Sequence, residues 1–396
     1  MGVDRAIGTG FRLGDPVIGA ALAGASWGDL PAHVAQQGAT SHAAMRDRIL
    51  RLAAGLLSAE LRRGQRVGVS MPPSADRTAL CAAIWWLGGV VVPLEPSLPQ
   101  ARLTMALQGS GLRLLVHHSQ GAGRGTSLAA VRHLACDELL AQGDAPDLGQ
   151  LAERAGRVLP DHPAVVLYGE GQQDTARGVV LSHRALLCAA RGLAARYGMG
   201  PGSRLAVPLP LNHAVRLTAE LAALLAGAAL CDLPAFSAPA SHLILADAAP
   251  VPPQAPPAVQ MQPGMVLLSG DARLVRGWQR ALPHSRIFNS YQRAELAGIA
   301  ICSDPRDPPH TAHATAGRPL RGVEVMIVDP RTSMDMLLYE IGEIWIRGAP
   351  LMLRYHDDLR ASRKVLDRSG FFKTGDMGYL DSEGRVIVCR DAFAQI

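Results

Sequence analysis

The chain has 396 residues, 48% hydrophobic and 18% charged. It exceeds the ~250–300 residues at which a single core stops growing, so more than one lobe is expected, and its apolar content excludes overall disorder. With 39 basic against 34 acidic side chains the net charge is +5, and aromatics are 4%, which gives mild anion attraction without the basic footprint or stacking platforms of a nucleic-acid binder.

Met1-Gly2-Val3-Asp4-Arg5 carries an early acid with no apolar run behind it, so no signal peptide is expected. Met45, Ile49, Leu52, Leu56, Leu57 and Leu61 recur at helical spacing with arginines opposite, the pattern of a surface helix. On that reading Arg46, Arg48, Arg51, Arg62 and Arg63 are a solvated face. Arg66 to Met71 reads as a strand ended by Pro72-Pro73. A helix through Leu80 to Leu87 and a strand at Val90 to Val92 then complete a βαβ unit. The run Ala79 to Leu94 is the most membrane-like, but it holds Gly88, Gly89 and Pro93 and falls short of the ~20 residues of a span. No membrane association is expected.

The pattern recurs with a strand at Ala164–Tyr168, a helix at Ser182–Tyr197, a strand at Leu205–Val207 and an Ala/Leu-rich helix at Leu217–Leu230. Pro250 to Pro263 is a proline-rich connector, after which Val266–Leu268 resumes the strands. From Gly322 the character turns to β, with strands at Val323–Val328, Glu343–Arg347 and Arg385–Cys389. Cysteines 81, 136, 188, 231, 302 and 389 form no CxxC pair, which fits reduced thiols in a cytoplasmic protein.

Tyr168 to His183 is a strand, a Gly-containing loop and a helix start, an arrangement that aims backbone N–H groups at phosphates. Taken alone it is a weak signal, and an ordinary strand-to-helix connection is the favoured reading. It is accompanied, in order, by Pro93-Leu94-Glu95-Pro96, Pro210-Leu211-Asn212-His213, Ser269-Gly270-Asp271-Ala272 and Asn289-Ser290-Tyr291-Gln292-Arg293-Ala294-Glu295. Gly317-Arg318-Pro319-Leu320, Gly342 to Gly348 and Phe371 to Asp376 with Asp381 and Gly384 follow. The series resembles the adenylate-forming superfamily of acyl-CoA synthetases, luciferases and peptide-synthetase adenylation domains, over about residues 45 to 396.

The resemblance implies that a carboxylate attacks the α-phosphate of ATP, giving acyl-AMP, and that a mobile C-terminal domain then admits a thiol. It places Gly171, Gly270, Tyr291, Asp376 and Arg390 around the nucleotide, with Tyr291 on adenine and Asp376 on ribose. Glu295 would be the magnesium ligand, Arg177 would stand at the phosphate-loop lysine, and His213 would lie near the acyl pocket. A structural histidine is an equal reading of His213, and His183 reads as packing.

Several positions depart from the family pattern. The loop has Gly169, Glu170, Gln172 and Gln173 at hydroxyl positions and Asp174 at the central glycine. Two like charges ~4 Å apart at an effective dielectric near 20 cost about 4 kcal/mol, so carboxylates facing a polyphosphate argue against ordinary ATP cradling. Gln292 and Ala294 replace the glycine and threonine of the Tyr-Gly-x-Thr-Glu motif. An ungapped count from Gly384 puts Arg390 on the family's glycine, Asp391 on its arginine and Ala394 on its hinge acid, and a one-residue shift is needed for Arg390 to serve as the ribose clamp. Asp271 would narrow or charge the pocket floor, and Glu170, Asp174 and His213 form a speculative acid–base group.

The expected fold is α/β. Two βαβ-type subdomains, 1–160 and 161–319, would form a cleft, and a smaller β-rich subdomain, 320–396, would end at the hinge with the C-terminal lid absent. The expected function is a truncated, degenerate ligase homologue that keeps an acyl or adenylate pocket. One alternative is an active acid–AMP ligase whose lid comes from a partner, and another is ATP-independent chemistry on an acyl thioester. Mg and ATP or AMP are the cofactors if the family activity is retained, otherwise none. The partners would be a small carboxylic acid or acyl group and CoA or an acyl or peptidyl carrier protein.

Overall fold

The computed structural model describes residues 17–24, 27–95, 109–118, 131–168, 177–232, 241–244 and 263–389. The loop residues Gly169 to Ala176, Arg390 to Ile396 and all but the last residue of the proline-rich connector lie outside them. The sequence readings for Glu170, Gly171, Asp174, Arg390, Asp391 and Ala394 therefore fall outside the described residues.

A short helix, Ile18–Gly24, precedes a hairpin formed by β1 (Pro31–Ala35) and β2 (Gly38–Ser41). Ser41 then caps the His42–Ser58 helix, accepting a hydrogen bond from Ala44 N at 3.2 Å. That helix buries Met45, Ile49, Leu52 and Leu56, the stripe its spacing predicts. Next come β3 (Arg66–Ser70), the Ser74-capped helix Ala75–Trp86 and β4 (Val90–Pro93). β3 and β4 pair in parallel, so this is the expected βαβ unit. Valines 67, 69, 91 and 92 are wholly buried, as in a parallel strand covered on both faces.

Parallel strands β5 (Leu114–His117) and β6 (Arg132–Ala135) extend this sheet on one side. β7 (Pro163–Tyr168) lies parallel to β4, and β8 (Gly178–Ser182) returns antiparallel to β7. The membrane-like run is thus a buried helix followed by a core strand. No described helix is long and apolar enough to cross a membrane.

The second sheet gathers β9 (Arg204–Ala206), β10 (Ala229–Cys231), β11 (Ser241–Ile244), β12 (Met265–Leu268) and β13 (Arg286–Arg293) in parallel, in the order β13-β12-β11-β9-β10. The hairpin joins it, with β1 parallel to β10. At the other edge β14 (Gly298–Cys302) and β15 (Arg318–Pro319) are antiparallel. The helix expected at Leu217–Leu230 runs instead over Ala214–Ala226. Gly227, at φ +75°, ends it, and the last residues of the Ala/Leu run become β10.

The two α/β sheets are tied through a buried ionic group. Glu220, on the Ala214–Ala226 helix, accepts from Arg216 Nε at 2.6 Å and pairs with Arg77 of the Ala75–Trp86 helix. Burial opposes the Glu220 charge, but the two guanidinium groups outweigh it and hold its pKa below the usual range.

Past residue 320 the chain forms a curled antiparallel sheet in the order β16-β17-β19-β20: β16 (Val323–Val328), β17 (Gly342–Gly348), β19 (Phe372–Leu380) and β20 (Val386–Val388). Between β17 and β19 the two-residue strand β18 (Arg354–Tyr355) leaves this sheet and pairs with β8 of the first one.

Candidate functional site

Just beyond the carboxyl end of β12 is a cavity of about 370 Å³, lined by Ser269–Ala272, Asn289–Tyr291, Ala314–Ala316, Val388 and Cys389. This is the end of an open parallel sheet at which ligands bind. Asn289 builds the wall. Its Oδ1 accepts from Gly270 N at 3.1 Å and Ser290 N at 3.0 Å, while its Nδ2 donates to Gly270 O at 3.0 Å and Thr315 O at 3.1 Å. One buried amide therefore holds two loops in register around the cavity. Asp271 caps the Ala272–Ala281 helix, its Oδ1 accepting from Leu274 N at 2.7 Å, so its carboxylate is spent on a helix start at the cavity rim.

Tyr291 carries the cavity towards the curled sheet, and its hydroxyl donates to Asp376 Oδ2. Asp376 is set by an irregularity in β19. Glu343 faces Met377 and Trp345 faces Lys373, so Thr374, Gly375 and Asp376 oppose the single residue Ile344. Gly375 takes φ +74°, which a side chain would strain, and Thr374 Oγ1 donates to Ile344 O at 2.7 Å. The bulge turns Asp376 out of the ladder to Arg293. Arg293 Nη2 donates to Asp376 Oδ2 at 2.6 Å and Thr374 O at 3.0 Å, and its Nε donates to the Tyr291 hydroxyl at 3.2 Å. Burial pushes the Tyr291 phenol well above its ordinary pKa, with Asp376 adding to the shift.

A second cluster follows along the chain. Glu295 sits in a 3-10 turn (Ala294–Leu296), and its Oε1 accepts from the Tyr355 hydroxyl at 2.8 Å. Burial and the Glu295 carboxylate both raise the Tyr355 pKa. The Arg177 guanidinium lies 5.7 Å from the Tyr355 ring centroid, and its Nε is 3.3 Å from Asp358 Oδ2. Tyr168, at the mouth of the loop, has its hydroxyl 3.2 Å from His356 Nδ1, and its carbonyl accepts from Asn212 Nδ2 at 3.2 Å. Gly178 closes that loop, and a Cβ there would lie 2.8 Å from the Tyr168 ring.

Gly270 and Tyr291 thus share one cavity, Asp376 is joined to it through the Tyr291 hydroxyl, and Arg177 and Glu295 meet at Tyr355. His213 caps the Ala214–Ala226 helix, Nδ1 accepting from Val215 N at 3.3 Å. His183 is fully buried, and burial pushes its imidazole down to about 3, in line with the packing reading. Asn289, Arg293 and Tyr355 were not singled out from sequence. Arg293 stands between two recognised motif residues, and that neighbourhood was the signal available.

Two α/β sheets, a curled antiparallel sheet and a cavity at a strand end describe the large N-terminal portion of an adenylate-forming enzyme. The chain belongs to the AMP-binding enzyme family, whose model it matches over residues 21–261 and 265–356. It is 29% identical over 256 residues to a 4-coumarate–CoA ligase-like protein of Oryza sativa, a match covering 60% of this chain and 46% of that relative. It is 29% identical over 361 residues to the phosphinothricin tripeptide synthetase PhsC of Streptomyces viridochromogenes, covering 85% of this chain and 32% of that protein. This chain therefore spans less than half of the length of either. The N-terminal domain of FACL13 from Mycobacterium tuberculosis superposes with a TM-score of 0.78 at 21% identity, covering 95% of this chain and 100% of that one. ATP-bound MatB from Rhodopseudomonas palustris superposes with a TM-score of 0.80, also at 21%, covering 94% and 78%. These two likenesses bear on the fold.

At about 370 Å³ the cavity is of the size of an adenine-nucleotide pocket, since ligand pockets run from ~300 to ~1,000 Å³, and the backbone of Gly270 and the N–H of Ser290 on its wall are paired with Asn289. For magnesium the described residues offer Glu295, oriented by Tyr355. Among them no group of three His, Cys, Asp or Glu side chains is placed to hold a metal. Mg²⁺ would then be carried on the nucleotide's own phosphates and water, as it is where one or two carboxylates serve.

Proposed function

We propose that this chain binds an adenine nucleotide or acyl-adenylate in the cavity between Gly270 and Tyr291, and that it has lost the family's ordinary ATP-dependent acid activation. It would act as a binding, scaffolding or repurposed protein in acyl or natural-product metabolism. The observation that carries this reading is the hydrogen bond from Tyr291, which lines the cavity, to Asp376. Next to it Ala294, at the threonine that would contact the α-phosphate, has no hydroxyl. The ligand class is a nucleotide esterified to a small carboxylic acid or acyl group, with CoA or an acyl or peptidyl carrier protein as the thiol partner.

Thermal-shift and calorimetric titration with Mg·ATP and AMP tests the reading without a guess at the acid. Ligand at ~100 times its dissociation constant stabilises by about 2.7 kcal/mol. Saturable AMP binding, weakened by Asp376→Ala, is the expected result. Conversion of ATP and a carboxylic acid to AMP and pyrophosphate at a ligase-like rate would sink the loss of activation.

The second reading is an active acid–AMP ligase. It is favoured by the Arg177 guanidinium beside the Tyr355–Glu295 pair, where a cation and a candidate metal ligand share one phenol. In that reading Glu295 would hold Mg²⁺, which supplies charge neutralisation on the phosphates when bound. Arg177 would add a cation there, and Asp376 would orient the ribose. Glu295→Gln should then abolish AMP formation.

A further inference from the structure

We propose that Arg293 receives the 5′-phosphoryl group of the bound nucleotide, replacing neutralisation that the rewritten phosphate loop and Ala294 do not provide. The inference rests on the nucleotide reading above and assigns the phosphate a specific receptor in this chain.

The placement comes from three contacts. Arg293 Nε bonds the Tyr291 hydroxyl, and Tyr291 itself lines the cavity. Its Nη2 donates to Asp376 of β19, so the guanidinium links Tyr291, a residue of the cavity wall, to the curled sheet. On its other side its charge is felt at Tyr355, the phenol that holds Glu295. Arg293 therefore stands between the adenosine end of the site and the Arg177–Glu295 cluster.

Its donors are not exhausted. A guanidinium has five N–H groups. One on Nε goes to Tyr291 and two on Nη2 go to Asp376 and Thr374, while Nη1 donates to none of the described residues. The side chain is 34% exposed, and the two Nη1 N–H groups are the ones not spent within this cluster. A planar fork held from behind by a carboxylate is pre-organised for a phosphoryl group, and it is charged at all working pH values. Asp376 has a second effect here. It balances Arg293 in the absence of ligand, so no uncompensated cation stands in a half-buried site.

The ligand chemistry is a phosphoryl group on the 5′ position of adenosine, whether free as AMP or esterified in an acyl-adenylate. Calorimetry on the full chain in EDTA with adenosine and AMP isolates that group, using wild type, Arg293→Met and Arg293→Lys. Wild type should bind AMP at least about tenfold more tightly than adenosine, the scale of one charge-assisted hydrogen bond. Arg293→Met should bring the two ligands to within about twofold while retaining adenosine binding, and Arg293→Lys should restore part of the preference. Retained adenosine binding shows that the Met variant has kept its pocket. If that variant fails to fold, the Lys variant decides: an AMP preference equal to that of wild type counts against the planar fork. An undiminished AMP preference in folded Arg293→Met overturns the proposal, as does equal binding of both ligands by wild type. Binding of neither ligand to folded wild type overturns the nucleotide reading and this proposal with it.

Discussion

The two ends of the site are built in different ways. The adenosine end is mostly backbone: Gly270, Ser290 and Thr315 are gathered by the single side chain of Asn289. At the phosphate end side chains face each other, with Arg177 on Asp358, Tyr355 on Glu295 and Arg293 on Asp376. A backbone cradle survives substitution of most side chains around it, because its donors and acceptors belong to every residue. A side-chain cluster changes its chemistry with each replacement. On the proposed nucleotide reading, this contrast lets the adenosine end persist beside a rewritten phosphate loop.

Asn289→Ala is the sharpest way to break the backbone end. It leaves Gly270 and Thr315 carbonyls unpaired in a buried site and should cost about 3 kcal/mol of stability by denaturant unfolding, with loss of AMP binding. Asp376→Ala acts where the two ends meet. It removes the acceptor for Tyr291 and Arg293 and should weaken AMP binding by roughly 2 kcal/mol, about thirtyfold, in calorimetry. If Asp376→Ala leaves AMP affinity intact, the carboxylate belongs to Arg293 alone.

Acid offers a test of comparable size that spares the site. His183 is neutral in the fold, with its pKa pushed down to about 3 by burial. An unfolded histidine titrates near ~6.5, so its contribution to stability is complete above that pH and is lost as pH falls from ~6.5 towards 3. Between pH 6.5 and 5 the loss from this group approaches about 2 kcal/mol, and His183→Leu should flatten that part of the stability profile. A phosphate-end variant should leave the profile unchanged. The smallest effect is expected from Tyr355→Phe, which removes the donor to Glu295 and should cost about 1 kcal/mol of stability with little change in adenosine binding.

Much of the architecture was legible from runs of valine and from helix caps. Val67, Val69, Val91 and Val92 mark parallel core strands, and Ser41, Ser74 and Ser182 stand at helix starts as their hydroxyls require. The β1–β2 hairpin was not legible: its strands are short and carry no valine run, and β10, with which β1 pairs, lies almost two hundred residues away. The Leu217–Leu230 run misled because alanine and leucine serve helix and buried strand alike, and a single Gly227 decides where one becomes the other. In the site, motif order placed Gly270, Tyr291 and Asp376 together. It was silent on Arg293, whose carboxylate partner is 83 positions further along. Nor did it show that Asp271, which lines the cavity, also caps the Ala272–Ala281 helix.

One feature of the cavity wall gives the protein an internal reporter. Five of the six cysteines are buried, and the sixth, Cys389, is part exposed against the cavity. Burial raises its pKa, which slows alkylation at neutral pH without preventing it. A thiol probe applied to the folded protein should therefore mark this position first among the described cysteines. Whatever occupies the cavity then becomes visible as a rate of labelling, with no substrate identified beforehand.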